Sequence, residues 1–125
     1  MNVKSLLAIR GFTLLEVMIA LTIFVTIALT LSQTASQSVD TVLYMQDKTL
    51  ASMLAENQLN EQRLKGLPRI GENKDVKRFA NRDWQVHSKV EKTEFPDTVR
   101  VTLSVADMEH KDSPLATIAT IMGKY

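Results

Sequence analysis

The sequence predicts an α+β protein in which one long N-terminal α-helix, apolar at first and then amphipathic, packs on a small antiparallel β-sheet of three to four strands. Three observations support this prediction. Residues 12–31 form an uninterrupted apolar run, residues 39–54 repeat apolar side chains at helical spacing, and residues 76–122 contain segments of alternating polarity. The 125 residues allow one domain outside a membrane segment.

Composition excludes several classes of function. The 15 Lys and Arg residues balance 14 Asp and Glu residues, for a net charge of +1, which is not the charge of a protein that binds polyanions by bulk electrostatics. There is no cysteine, which excludes disulfides, thiolate metal sites and thiol nucleophiles.

The apolar run has the length of a membrane span. Glu16 is its only charge, and no ionisable residue, glycine or proline occurs from Val17 to Val39. About 20 helical residues rise about 30 Å, the thickness of the hydrocarbon core. We therefore expect a transmembrane helix over residues 12–35. Lys4 and Arg10 precede it, which predicts a cytoplasmic N-terminus.

Two ordinary explanations of this segment fit less well. A cleaved secretory signal has a shorter apolar stretch that ends at a small-x-small site, which is missing here. A plain signal anchor gains nothing from Glu16, because an unpaired carboxylate in lipid costs about 2.5 kcal/mol or more. Glu16 therefore needs a partner, which a cation on another chain could supply.

The run Arg10-Gly11-Phe12-Thr13-Leu14-Leu15-Glu16-Val17 resembles the class III signal of type IV pilins and type II secretion pseudopilins. The resemblance implies that residues 1–11 are a leader, which prepilin peptidase cuts between Gly11 and Phe12 before methylating the Phe12 amine. It also implies that Glu16 pairs with the Phe12 amine of an adjacent subunit during assembly. The fold is then pilin-like, and the protein is a single-pass inner-membrane protein with a periplasmic domain over residues 36–125.

The helix continues beyond the membrane as an amphipathic segment. Its apolar residues recur at spacings of three, four and seven, and it is predicted to end near Lys65, before Gly66-Leu67-Pro68. Two interpretations of this apolar face remain open: burial against the chain's own sheet, or contact with partner subunits. The candidate partner interface consists of Val39, Leu43, Leu50, Met53, Leu54 and Asn57.

The remaining sequence predicts a sheet over about residues 76–122. A short strand is expected at 76–79, a turn at Asn81-Arg82-Asp83, and a strand with Trp84, Val86, Ser88 and Val90 on one face, which leaves His87 on the solvent face. After a turn at Phe95-Pro96-Asp97, the alternation of Val99, Val101, Leu103 and Val105 is the clearest strand signal. A polar loop over 107–114 precedes a last strand at 116–122.

A second set of residues resembles the I-type minor pseudopilin of type II secretion. It consists of Lys48-Thr49-Leu50-Ala51 and Ala55-Glu56-Asn57 on the helix, with Arg82-Asp83-Trp84 opening a strand. The resemblance implies a structural subunit of the pseudopilus tip that helps initiate assembly for the export of folded proteins. Its implied partners are J-type and K-type minor pseudopilins, the major pseudopilin, prepilin peptidase and inner-membrane lipid.

Other classes of function have weaker support. A minor pilin of a type IV or competence pilus is the alternative, and its DNA binding would need the basic cluster Lys74, Lys77, Arg78 and Arg82, which interleaves with acids. A signal-anchored periplasmic enzyme or binding module is a further class. The loop Asp107–Asp112 could hold a hard cation, but it lacks EF-hand spacing, and a solvated loop is expected. We expect no catalytic residues, cofactor, metal or nucleic acid.

Overall fold

The computed structural model describes residues 13–124 and confirms the α+β, pilin-like arrangement of one long helix on an antiparallel sheet. The elements are α1 (Leu14–Lys65), β1 (Gly71–Phe79), β2 (Arg82–Lys92), β3 (Thr98–Asp107) and β4 (Ala116–Gly123). The chain divides into two compact units, Met1–Thr41 and Val42–Tyr125, and α1 contributes residues to both.

In the first unit, α1 is a helix whose apolar side chains are all exposed. It contains an 18-residue window long and apolar enough to cross a membrane, and none of that window is buried by other described residues. Hydroxyl groups form a ladder along this helix, because each donates a hydrogen bond to the carbonyl oxygen one turn earlier. We call this set the hydroxyl ladder; its members are Thr22, Thr26, Thr30, Thr34 and Ser38.

In the second unit, the four strands form a simple meander in the order β1-β2-β3-β4, with every neighbouring pair antiparallel. A two-residue turn at Ala80 and Asn81, with φ angles of 51° and 59°, joins β1 to β2. The expected turn at Asn81-Arg82-Asp83 is therefore wrong in register, since Arg82 already pairs with Phe79 at the start of β2.

Strand β1 is longer than the sequence indicates. It begins at Gly71, whereas the sequence predicts a short strand that begins at residue 76. Its first six residues are exposed on both faces, so the segment has no apolar alternation from which a strand could be predicted. Residues 116–123, by contrast, form the last strand almost as predicted.

The core of this unit lies between the helix and one face of the sheet. From the helix, Ala51, Leu54 and Ala55 are buried, with Leu50 and Leu59 partly buried beside them. The sheet contributes seven buried residues of the predicted alternation: Trp84, Val86, Val90, Val99, Val101, Leu103 and Val105. Ser88, predicted on the same face of β2, is half-buried. The Trp84 indole Nε1 donates to the Phe79 carbonyl oxygen at 3.1 Å, so this buried side chain leaves no polar atom unsatisfied.

Candidate assembly site

The candidate assembly site begins where α1 begins. The Thr13 backbone N–H donates to Glu16 Oε2 at 3.0 Å, and the Glu16 backbone N–H donates to Thr13 Oγ1 at 3.2 Å. These reciprocal bonds form a capping box, which satisfies two of the N–H groups left without partners at a helix start. Gly11 and Phe12, the predicted cleavage and methylation residues, lie outside the described residues.

The capping box affects how the negative charge of Glu16 is stabilised among apolar side chains. Glu16 is the only ionisable residue between Leu14 and Val39, and the side chains around it are apolar and exposed. Its Oε2 accepts a backbone hydrogen bond, and its position in the first helical turn places the negative charge near the positive end of the helix dipole. The carboxylate is thus partly stabilised within its own chain, while a hydrogen bond to Oε2 leaves Oε1 as a second acceptor for a cation.

The second candidate site is the helix face predicted to contact partners. Val39, in the first unit, is 57% exposed, and in the second unit Leu43 is 53% and Met53 49% exposed. Asn57 is also exposed. All four side chains are therefore accessible to solvent among the residues that the structure describes.

Two residues of that predicted face lie elsewhere. Leu54 is 3% exposed and packs in the chain's own core, so it is not a surface residue, and Leu50 is half-buried against the same core. The buried seam of the helix consists of Ala51, Leu54 and Ala55. Met53 immediately precedes Leu54 in the sequence but lies on a different side of the helix and is exposed. The sequence pattern included Leu50 and Leu54 but not Ala51 and Ala55, because it gave weight to large apolar side chains and none to alanine.

A cluster centred on Arg82 was not predicted as a unit. Arg82 Nη1 lies 2.5 Å from Asp47 Oδ1 on α1, and Arg82 Nη2 lies 3.1 Å from Asp107 Oδ2 on β3. The guanidinium carbon is 4.5 Å from the centroid of the Trp84 ring, within range of a cation–π interaction. Arg82 thus joins the helix to two strands at one corner of the core.

This cluster, and two further ion pairs, account for most of the basic patch that could have bound DNA. Lys77 lies 3.1 Å from Asp75, and Arg78 lies 3.6 Å from Asp83. The Lys77 ammonium, by hydrogen bonding, holds the pKa of the Asp75 carboxyl below its ordinary value. Three of the four cations in the patch are therefore neutralised by neighbouring carboxylates, which disfavours a phosphate-binding surface.

Two further ion pairs lie on the sheet. On the outer face of the sheet, Lys89 Nζ lies 2.8 Å from Glu91 Oε1; this hydrogen bond raises the pKa of Lys89 and lowers that of Glu91. His87, expected on the solvent face, is half-buried, and its Nε2 lies 3.4 Å from Glu72 Oε2 on β1.

The loop that could hold a cation brings ligand atoms of Asp107, Glu109 and His110 within 4.8 Å of one another. Asp107 Oδ2, however, already accepts a hydrogen bond from the Arg82 guanidinium at 3.1 Å, which places a positive charge beside this carboxylate. Arg82 therefore competes with a cation for Asp107, and the solvated loop that the sequence predicts stays a prediction.

Comparison with known proteins agrees with both sequence motifs. A family described as Type II secretion system (T2SS), protein I matches residues 45–123, and the Prokaryotic N-terminal methylation motif matches residues 7–32. The Type II secretion system protein I of Pseudomonas aeruginosa is 40% identical over 98 residues, covering 78% of this chain and 76% of that protein. The proteins of the same name from Aeromonas hydrophila and Klebsiella pneumoniae are 31% and 30% identical, covering 92% and 88% of this chain and 98% and 92% of their own lengths.

The match to the family extends over the helix segment and the whole sheet, and the methylation motif extends over the capped helix start that carries Glu16. Together they favour type II secretion over the type IV or competence pilus that the first motif alone left open. The chain belongs to the protein I family of type II secretion system pseudopilins, which are structural subunits anchored by one N-terminal apolar helix.

Proposed function

We propose that this pseudopilin is a minor subunit of the pseudopilus tip, where it helps initiate assembly for the export of folded proteins across the outer membrane. The observation that carries the proposal is the capped carboxylate of Glu16 at the start of an otherwise uncharged, fully exposed apolar helix. A helix of this kind is stable in lipid, and its one charge is placed where a second chain can bind it.

In this proposal, prepilin peptidase cuts after Gly11 on the cytoplasmic side and methylates the Phe12 amine. The Phe12 amine of an adjacent subunit then pairs with Glu16 Oε1, while Oε2 keeps its bond to the Thr13 N–H. Low-dielectric surroundings strengthen that ion pair, so its formation favours association of helices over dispersal in the bilayer. Residues beyond about 36 lie in the periplasm, on the side opposite Lys4 and Arg10.

The proposed partners are J-type and K-type minor pseudopilins, with the major pseudopilin following them into the filament. We assign their contact to the exposed residues of the predicted face, which are Val39, Leu43, Met53 and Asn57, and we exclude Leu54 because it is buried in the chain's own core. Large apolar side chains at this exposure are common at interfaces and costly in water.

The test is co-purification of the full-length chain with full-length J-type and K-type pseudopilins from the same organism, co-expressed and extracted in mild detergent. A stable complex with the J-type protein, together with a methylated Phe12 as the mature N-terminus, is the expected result. If Phe12 is methylated but neither partner co-purifies, processing as a pseudopilin stands and the tip assignment is wrong. A mature chain that begins before Phe12 would contradict the processing step itself.

A further inference from the structure

The last turn of α1 and the loop after it form a surface that is both basic and apolar. Residues 63–70 contain three cations and no acid, in a chain whose net charge is only +1. They also contain three large apolar side chains that are exposed, Leu64 at 90%, Ile70 at 62% and Leu67 at 42%. We call residues 63–70 the helix-end surface; its cations are Arg63, Lys65 and Arg69, all of them exposed.

Helix stability accounts for only part of this composition. Cations in the last turn interact favourably with the negative end of the helix dipole, which explains Arg63 and Lys65. It does not explain Arg69, which lies beyond the helix, and none of the three cations forms an ion pair with another residue in the range 13–124. Single exposed leucines are common on protein surfaces, whereas clusters of large apolar side chains mark interaction sites. The helix-end surface therefore suits a partner that is acidic and partly apolar.

The helix-end surface has a defined conformation. The chain leaves α1 through Gly66, whose φ of 95° is a left-handed conformation that favours glycine. Gln62 Nε2 donates to the Gly66 carbonyl oxygen at 3.2 Å. The ring of Pro68 then fixes the φ of that residue at about −65°. Because the chain is held at these positions, a partner that binds here orders few residues, which lowers the entropic cost of binding.

The helix-end surface continues the helix face that we assign to partners. Leu64 follows Met53 by eleven residues, and eleven residues at about 100° each return to within about 20° of the same side of the helix. Asn57 lies between them on that side and is exposed, as Met53 and Leu64 are. These three residues thus form one accessible stripe on the second unit. A segment that lies along the stripe reaches the three cations at its end.

We propose that the helix-end surface binds an acidic segment of the J-type pseudopilin, with apolar side chains of that segment against Leu64 and Ile70. The proposal rests on the proposed function for the identity of the partner. Opposite charge steers the encounter and fixes the direction in which the segment lies along the stripe. Burial of the leucine and isoleucine side chains supplies affinity.

Two other occupants fit this surface less well. A second copy that met it with its own helix-end surface would place three cations against three cations, and like charges across an interface oppose binding. Anionic lipid is typically bound by clusters of about four to eight Lys and Arg residues, more than the helix-end surface contains. An acidic segment of a neighbouring subunit is therefore the favoured occupant.

The first experiment reverses one charge and measures binding of the full-length chain to the full-length J-type protein in detergent. It compares Arg69→Glu with Lys111→Glu, which changes an exposed cation in the loop between β3 and β4. Both side chains are exposed, so both variants should fold, which a thermal melt checks. At low salt we expect Arg69→Glu to weaken binding about tenfold and Lys111→Glu to weaken it less than about twofold. Equal effects of the two variants, or wild-type binding that salt does not weaken, would overturn the proposal.

The second experiment tests the apolar part of the surface in the same assay. Leu64→Gln is compared with Val76→Gln on β1, where the valine is 51% exposed and lies outside the helix-end surface. We expect Leu64→Gln to weaken binding of the J-type protein about tenfold, because its side chain is buried in the complex, and Val76→Gln to change binding less than about twofold. Unchanged binding by Leu64→Gln would overturn the proposal.

Two further measurements distinguish the other occupants. Self-association of the full-length chain that Arg69→Glu weakens, with J-type binding unchanged, would assign the surface to a second copy. The full-length chain in neutral nanodiscs is also mixed with phosphatidylglycerol vesicles; association that Arg69→Glu abolishes, with J-type binding unchanged, would assign the surface to lipid. Either result would overturn the proposal and leave the tip assignment intact. Absence of any complex with the J-type protein would contradict the proposed function and this inference with it.

Discussion

At the scale of single residues, Glu16 and Arg82 show two ways in which this chain accommodates charge. Glu16 has one oxygen bound to the Thr13 backbone at the positive end of a helix, whereas Arg82 lies between two carboxylates and an indole ring. In both cases a charge that would be costly in apolar surroundings has groups arranged around it. Glu16 keeps a second oxygen that can accept a bond from another chain. At Arg82, both carboxylates are paired with the guanidinium.

For Glu16, we expect Glu16→Leu to insert in the membrane as well as the wild type and to assemble poorly, because the apolar helix keeps its length and loses its only anchor for a cation. Secretion of a reporter substrate measures assembly, and membrane fractionation measures insertion. Thr13→Val is the companion variant, since it removes only the hydroxyl that accepts a hydrogen bond from the Glu16 backbone N–H. Normal secretion with Glu16→Leu would contradict the pairing role.

For Arg82, we expect Arg82→Met to lower the free energy of unfolding by about 1–2 kcal/mol, because Asp47 and Asp107 lose a half-buried cation and Trp84 loses its cation–π contact. Urea denaturation of the full-length chain in detergent, monitored by Trp84 fluorescence, measures this change in the free energy of unfolding. The control is Arg78→Met, whose ion pair with Asp83 is exposed and 3.6 Å long, and which should change stability by less than about 0.5 kcal/mol. Equal losses in the two variants would show that Arg82 is an ordinary surface cation.

At the scale of elements, most of what could be predicted rests on periodicity. The strand with Val99, Val101, Leu103 and Val105 and the buried face of β2 each alternate in polarity, and each is found as predicted. The N-terminal apolar segment is predicted from its length and low polarity instead, and it is helical in the structure. Strand β1 has no such repeat, because an edge strand exposed on both faces is under no pressure to alternate. The Arg82 cluster could not be predicted either, since Asp47 and Arg82 are 35 residues apart.

The seam of α1 gives a prediction about packing. Ala51 and Ala55 are fully buried, so the helix backbone approaches the sheet closely at both positions. We expect Ala55→Leu to lower the free energy of unfolding by about 1–3 kcal/mol, because the added carbons have no room. Met53→Leu, at an exposed position of the same helix, should be nearly neutral. Denaturation curves give the free energy of unfolding of both variants. An unchanged value for Ala55→Leu would mean that the seam contains unfilled space.

The turn between β1 and β2 gives a second prediction at this scale. Ala80 has a φ of 51°, a left-handed conformation that costs a residue with a Cβ about 1 kcal/mol or more. We therefore expect Ala80→Gly to raise the melting temperature of the full-length chain. Asn81→Gly should have a smaller effect, because asparagine tolerates this conformation. A lower melting temperature for Ala80→Gly would contradict the left-handed turn.

At the scale of the whole molecule, the absence of cysteine makes the membrane orientation testable with single-cysteine variants. Asp112 is exposed in the second unit, so Asp112→Cys should react with a membrane-impermeant maleimide added to intact spheroplasts. Asn2→Cys lies in the predicted leader, so it should react only after lysis, and its label should be absent from the mature chain. Labelling of Asn2→Cys in intact spheroplasts would reverse the proposed orientation.

The division of the chain after Thr41 separates what each half of the sequence could reveal. The described part of the first unit could be predicted almost completely, because a candidate membrane helix is recognised by its length and low polarity. The second unit matches its family over the helix segment and the whole sheet, but only the geometry distinguishes the buried Leu54 from the exposed Met53. Neighbouring positions on one helix turn can thus have opposite roles that spacing alone does not separate.

The hydroxyl ladder has a consequence for a subunit that must change its surroundings. Each hydroxyl in the set Thr22, Thr26, Thr30, Thr34 and Ser38 is bonded within its own helix, so lipid receives no unpaired donor. The same groups make the helix less lipophilic than an unbroken row of leucine or isoleucine would be, which lowers the work of withdrawing it from the bilayer. Under the proposed function, the ladder therefore suits one segment to two surroundings, which are the acyl chains of the bilayer before assembly and the side chains of other helices in a filament.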